Sequence, residues 1–323
     1  MEAGQRASLF WLNQRRRGVS DYLAIEVGGT KLQLMAGDAS GAIHERRRFS
    51  VDRTLGAQGI RDQIQQALPA LIQDREIRGI GVGFGGPVNW KTGAIARSHQ
   101  IEGWSGFELG AWLRRLTSLP VRVENDANVA AFGEARAGAG RGCDPVFYIT
   151  LGSGVGGGLV VGGKIYHGAV PGEAEIGHIR LDRSGATVES RCSGWAVDAR
   201  VRAIAAKDPG GRLAALVRSG SGSEARHLLP ALDQGDPGAQ RILREAADDL
   251  ALGLSHVTHL FHPEIIILGG GLSSLGEPLR SAVESALAGC VMEVFAPGPR
   301  VALAGLGEDA VPAGALILAG EMP

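Results

Sequence analysis

An α/β protein of two lobes is what this sequence predicts, on three observations. The chain has 323 residues, longer than one compact core usually needs. Its 50 glycines, about twice the typical share of roughly 7%, follow no G-X-Y period and gather where strand-like apolar runs end. A strand, glycine-rich turn and returning strand near the start recur near the middle of the chain, with helical patterns between and after.

The elements follow in order. Tyr22-Leu23-Ala24-Ile25-Glu26-Val27 reads as a buried strand running into Gly28-Gly29-Thr30-Lys31, and Leu32-Gln33-Leu34-Met35-Ala36 alternates as its return, so the opening is a hairpin. Ile60, Ile64, Leu68, Leu71 and Ile72 at helical spacing predict a helix over 56–74, before a strand from Ile77 to Phe84 that enters Gly85-Gly86-Pro87. A helix over 109–116 and a short strand over 121–123 precede a helix over 128–137, which leaves Asn125 and Asp126 in the loop just ahead of it. Then the opening pattern restarts, with strand 146–151, a turn over 152–158 and a return over 159–161. Helices over 196–206 and 239–261 flank a polar stretch at 219–223 that reads as a surface loop. A strand over 264–268 ends in Gly269-Gly270-Gly271-Leu272-Ser273, and 311–319 reads as a closing helix. The expected division is a disordered tail over 1–20, an N-terminal lobe over 21–124 closed by a C-terminal helix at 309–323, and a C-terminal lobe over 125–308.

Composition excludes several classes. Lys and Arg number 33 against 34 Asp and Glu, a formal charge of −1, so nothing draws the chain to nucleic acid or an anionic membrane. Cys143, Cys192 and Cys290 are odd in number and widely spaced, which suits free thiols in a reducing, cytoplasmic compartment. Arg15-Arg16-Arg17 follows a short apolar patch, the reverse of a signal peptide, and no apolar run reaches the roughly 18 residues of a membrane span.

The glycine turns carry the chemistry. Gly28-Gly29-Thr30-Lys31 and Gly152-Ser153-Gly154-Val155-Gly156-Gly157-Gly158 can offer backbone N–H groups and hydroxyls to a polyphosphate. Either one alone could be a plain hairpin turn, whereas the pair points to a phosphate clamp. Gly-x-x-x-x-Gly-Lys-Ser/Thr is absent, and the returning strands argue against a dinucleotide fingerprint, so a dehydrogenase is disfavoured. Gly269-Gly270-Gly271, at a strand end, would let a flat adenine or a ribose lie on bare backbone. Asp126 can serve as a general base toward a hydroxyl attacking a γ-phosphate, with helix capping by Asp126 or Asn125 as the structural alternative. Glu175 and His178, in Ala174-Glu175-Ile176-Gly177-His178, add polar groups suited to hydroxyls.

In this order the motifs resemble the ROK family of repressors, open reading frames and sugar kinases, over 21–319. The resemblance implies an α/β, actin/hexokinase-like (ribonuclease H-like) fold of two lobes, each with a mixed sheet flanked by helices, that closes over a sugar and MgATP. It implies a glucokinase-like kinase of a hexose or amino sugar, with Asp126 as base, and Asn125, Asp126, Glu175, His178, Glu189 and Gln100 toward the sugar. Gly28, Gly29, Thr30, Lys31, Gly152, Ser153, Gly154, Gly270 and Gly271 would meet ATP, and a homodimer is implied.

Three departures from the family pattern stand out. Glu26 replaces the usual Asp that helps organise Mg²⁺, directly or through water, and His99-Gln100 replaces a Pro-Asn before Gly103-Trp104. The cysteine cluster that binds zinc is missing after His178, because one nearby cysteine cannot complete a tetrahedral site, so no zinc is expected. About 20 residues ahead of the first turn are too few for a DNA-binding winged helix, which disfavours the repressors. A catalytically weak sugar or nucleotide sensor of the same fold is the alternative, and an iron–sulfur activating ATPase is disfavoured by the scattered cysteines.

Overall fold

In the computed structural model, two five-stranded sheets are built on one plan. It describes residues 21–98, 101–172, 174–219 and 223–322. The expected tail over 1–20, and with it Arg15-Arg16-Arg17, lies outside the described residues, as do His99 and Gln100 and the middle of the polar loop at 219–223. The chain divides into two compact units, one running to Val129 with Ala169–Gly172 and the segment from Val311, the other comprising Ala130–Gly168 and Glu173–Ala310.

In the first unit β1 (Asp21–Val27), β2 (Lys31–Gly37) and β3 (Ile43–Ser50) run antiparallel in succession. On its other side β1 pairs in parallel with β4 (Ile77–Phe84). A small antiparallel pair, β5 (Val88–Asn89) and β6 (Ala94–Ile95), follows in the chain before β7 (Val121–Asn125), which lies parallel to β4. The sheet order is therefore β3-β2-β1-β4-β7. Helix α1 (Gly56–Ile72) buries Ile60, Ile64, Leu68 and Leu71, the residues whose spacing predicts it. Helix α2 (Leu109–Thr117) buries Leu109 and Leu113. The last helix of the chain, Ala310–Gly320, packs on β4 so closely that a Cβ on Gly81 would overlap the Ala315 carbonyl oxygen.

The second unit repeats the plan. β8 (Val146–Leu151), β9 (Val155–Val161) and β10 (Lys164–Ile165) are successively antiparallel. β8 then pairs in parallel with β11 (Ile265–Gly269), and β11 with β12 (Arg300–Leu303), for the order β10-β9-β8-β11-β12. Helix α3 (Asp126–Ala137) leads into this unit, and α4 (Val188–Cys192), α5 (Gly194–Lys207), α6 (Arg212–Ser219), α7 (Leu228–Asp233), α8 (Pro237–Phe261) and α9 (Glu277–Ala288) complete it. Its core gathers Phe147, Ile149, Ile266 and Leu268 of the sheet with Val197, Leu250, Leu254 and Val283 of the helices.

Several expectations need correction. The second turn ends at Gly154 rather than Gly158, because Gly156, Gly157 and Gly158 pair with Thr150, Ile149 and Tyr148 inside β9. Asp126 opens α3 instead of preceding it. The cap is Asn125, whose Oδ1 accepts from the Ala127 and Asn128 amides at 2.9 and 3.2 Å. Strand β3 carries Glu45, Arg46, Arg47 and Arg48 and has no apolar alternation; edge pairing with β2 makes it a strand.

Where α3 ends, a buried carboxylate fastens two turns. Glu134 Oε2 accepts from the amides of Ala139 (2.8 Å) and Gly305 (3.0 Å), and Oε1 from that of Leu306 (2.8 Å). Removing it takes three hydrogen bonds from a buried carboxylate and leaves both turns without that tie. Glu134→Ala is expected to lower unfolding free energy in a denaturant titration by about 3 kcal/mol; a loss under ~1 kcal/mol would mean that the two turns hold without it.

Candidate active site

The first unit assembles one half of the candidate set at the ends of parallel strands. Val27 of β1 lies opposite Phe84 of β4, and Phe84 opposite Asn125 of β7. The residues that follow, Gly28, Gly85 and Asp126, are therefore neighbours. The Gly28 amide donates to the Lys31 carbonyl at 2.9 Å and closes the first glycine turn. The Gly85 amide donates to the Val27 carbonyl at 2.8 Å. A Cβ on Gly85 would stand 3.3 Å from Asp126 Oδ2 and 3.7 Å from Gly28 Cα. Asp126 Oδ1 accepts from the Ala127 amide at 2.8 Å, which fixes the side chain at the start of α3.

Asn125 is mostly engaged in structure. Beyond its capping bonds, Nδ2 donates to the Gly86 carbonyl at 3.2 Å, so one amide hydrogen remains for any other partner. Glu26 Oε2 accepts from Gln33 Nε2 at 2.7 Å and Oε1 lies 3.2 Å from Lys31 Nζ. Trp104 is core: it is buried edge-on to Phe84 and Phe107, with the Arg61 guanidinium beside both Trp104 and Phe107.

The second unit assembles the other half. The second turn closes with the Gly152 amide donating to Gly154 O at 3.0 Å, and the first amide of α5, Gly194, donates to Gly152 O at 2.7 Å. Glu189, in α4, reaches the same turn, where its Oε2 accepts from the Val155 amide at 2.9 Å. Its expected role toward a sugar thus shares the side chain with a bond that holds the turn. Glu175 and His178 sit exposed at a single 3₁₀ turn, Ile176–His178, that packs on β9. At Gly177 a Cβ would overlap the Val155 carbonyl oxygen, so this turn and the start of β9 approach backbone to backbone.

Gly270 has φ +80°, and a Cβ there would lie 2.5 Å from the Leu151 amide nitrogen, whereas a Cβ on Gly271 would meet nothing within 4 Å. Packing therefore requires glycine at Gly270, and Gly271 leaves open backbone. These two turns border a cavity of about 290 Å³, lined also by Trp195, Asp198, Ser223 and Arg226. Asp198, buried, accepts from Ser223 Oγ at 3.0 Å and from the Ala225 amide at 2.6 Å, which pins that wall to α5. Sequence reasoning missed these four residues. Their order in the chain carries no motif, and folding of α5 against the 3₁₀ turn Glu224–His227 brings them together.

Comparison with known proteins is consistent across most of the chain. The family model described as ROK family matches residues 22–322. The chain belongs to the ROK family. Its architecture is the actin/hexokinase-like fold, with a mixed sheet flanked by helices in each unit. The glucokinase of Streptomyces coelicolor is 33% identical over 314 residues, spanning 93% of this chain and 97% of that protein. Kanosamine kinase of Amycolatopsis mediterranei is 31% identical over 316 residues, 95% of this chain and 100% of that one. A ROK glucokinase of Streptomyces griseus, solved with glucose and AMPPNP, superposes with a TM-score of 0.82 at 33% identity, covering 94% of this chain and 100% of that structure.

Among the described residues no set of three or more His, Cys, Asp or Glu gathers as a metal site. Cys192, the cysteine beside Glu189, is buried, and that burial pushes its thiol up to about 12. No described helix is long and apolar enough to cross a membrane.

Proposed function

We propose that this ROK protein is an ATP-dependent kinase that phosphorylates a hydroxyl of a hexose or amino sugar, with Asp126 as general base. The observation that carries the reading is the placing of Asp126 Oδ2 beside Gly85, next to the first glycine turn. A carboxylate so held can take the proton of a sugar hydroxyl while the hydroxyl oxygen attacks the γ-phosphorus. The bond from that phosphorus to its bridging oxygen breaks, and ADP leaves. Asn125, Glu175, His178, Glu189 and Gln100 are proposed to hold sugar hydroxyls, with Asn125 limited to its one remaining donor.

Gly28, Gly29, Thr30 and Lys31, and likewise Gly152, Ser153 and Gly154, are proposed to meet the phosphates through N–H groups and hydroxyls. The cavity bordered by Gly271 suits the nucleoside: Trp195 offers an aromatic face, and the open Gly271 backbone admits a flat ring, with Gly270 proposed to hold that turn against Leu151. Mg²⁺ carried on ATP would neutralise phosphate charge during transfer. Glu26 does not fit the role of organising that ion, because a cation already faces one carboxylate oxygen and an amide N–H the other.

The protein is also proposed to be a zinc-free homodimer. Leu260 and Val294 are 73% and 74% exposed, and Tyr166, Phe261 and Met292 add apolar surface around the C-terminal end of α8, which suits burial against a second copy. Cys192 is the one cysteine near Glu189, and a single thiolate cannot complete a tetrahedral zinc site.

Three measurements test this reading. In an ADP-release assay with MgATP and a panel of hexoses and N-acetylhexosamines, one sugar should drive turnover, and Asp126→Asn should cut kcat by about 10²–10⁴ with little change in sugar KM. Nucleotide or sugar binding without turnover on any sugar would instead indicate a sensor. Asp198→Ala, by releasing the cavity wall, should raise KM for ATP about tenfold while sparing KM for the sugar; an equal rise in both would remove the cavity from nucleotide binding. Native mass spectrometry should find paired chains without zinc, and a monomer or stoichiometric zinc would overturn the corresponding part.

A further inference from the structure

We infer that Glu26 is the fixed counter-ion and positioning group of Lys31, in place of any service to a metal ion. The inference rests on the kinase reading only in taking a nucleotide as the ligand of the first glycine turn.

Strand pairing sets the arrangement. Glu26 of β1 lies directly opposite Gln33 of β2, and Gln33 directly opposite Arg48 of β3. Residues opposite one another share a face, and Lys31, two before Gln33, projects from that same face. The side chains join into a line. Arg48 Nε donates to Gln33 Oε1 at 2.7 Å, Gln33 Nε2 donates to Glu26 Oε2 at 2.7 Å, and Glu26 Oε1 lies 3.2 Å from Lys31 Nζ.

Gln33 is wholly buried, and the guanidinium on one side and the carboxylate on the other fix which way its amide faces. The amide in turn holds the Glu26 carboxylate in one orientation, with its second oxygen toward Lys31. An aspartate would end about 1.5 Å short and could not span both partners, so the longer residue belongs to this network.

A metal ion coordinated by Glu26 would have to displace the Lys31 ammonium or stand against it, cation to cation. Arg53 Nε donates to the Gly29 carbonyl at 2.9 Å and brings a second cation to the same turn. Charge at this turn is thus supplied by Lys31, which the sheet places, and by Arg53, which its bond to Gly29 holds, and Glu26 keeps Lys31 at the turn's edge.

A double-mutant cycle on the full chain tests the inference, with AMPPNP binding read by calorimetry in the presence of Mg²⁺ and again with EDTA. Glu26→Gln keeps the size and the Gln33 contact while removing the charge, and Lys31→Met removes the ammonium. Glu26→Gln is expected to weaken AMPPNP binding about two- to fivefold, the range of a partly exposed ion pair, by the same factor with and without Mg²⁺. In the Lys31→Met background it should change nothing further. A loss confined to the Mg²⁺ samples, an undiminished loss without Lys31, or no loss at all would overturn the inference. Thermal melting of each variant shows that it is folded. Wild-type turnover on sugars judges the kinase reading separately, since a chain that binds AMPPNP without turnover still reports the Glu26–Lys31 coupling; a wild-type chain that binds no AMPPNP would overturn both.

Discussion

Parallel pairing between strands is the constraint on which the candidate residues of each unit depend. Because β1, β4 and β7 point the same way and Val27, Phe84 and Asn125 fall in one row, the backbone leaves all three strands at the same edge of the sheet. The first glycine turn, Gly85 and Asp126 meet there without long side chains to span the distance. In the second unit the row containing Thr150 and Gly269 does the same for the second glycine turn and Gly270-Gly271. A slip of one residue in either row would turn the inward apolar side chains outward, so the hydrophobic core that sets register also sets the site.

Loops at those strand ends need fastening, and the second unit fastens them with carboxylates that accept from backbone amides. Glu134 holds the turns at Ala139 and at Gly305-Leu306, Glu189 holds Val155, and Asp198 holds Ala225. A charged acceptor makes a stronger bond to an N–H than a neutral one, and it satisfies donors that irregular backbone would otherwise leave without partners. Glycine does the complementary work where two backbones touch, as at Gly177 against Val155 and Gly270 against Leu151. Acidic residues that look available for chemistry in the sequence are therefore divided between fastening and function.

The strands and long helices were legible because their apolar residues repeat with the period of the element. Strand β4 begins and ends where the alternating and apolar run from Ile77 to Phe84 does, and α1 buries the residues at helical spacing. Edge strand β3 was not legible, since its polar residues carry no period and its structure comes from hydrogen bonds to β2. The extent of the second turn was misjudged for a related reason. Gly156, Gly157 and Gly158 look like loop residues, but β8 recruits their backbone into a strand. Both errors come from backbone pairing, which side-chain pattern does not report.

At the site, the sequence by itself determined the family, the paired glycine turns and the presence of Asp126 after Asn125, because these are local features in which residue type and spacing carry the chemistry. The tertiary structure decided what each polar side chain does. It gave Asn125 the cap of α3, committed one oxygen of Glu189 to Val155, set Glu26 between Gln33 and Lys31, and drew Trp195, Asp198, Ser223 and Arg226 around one cavity. The physical reason is that a carboxylate's role depends on the donors within about 3 Å of it, and those donors come from strands and helices far apart in the chain.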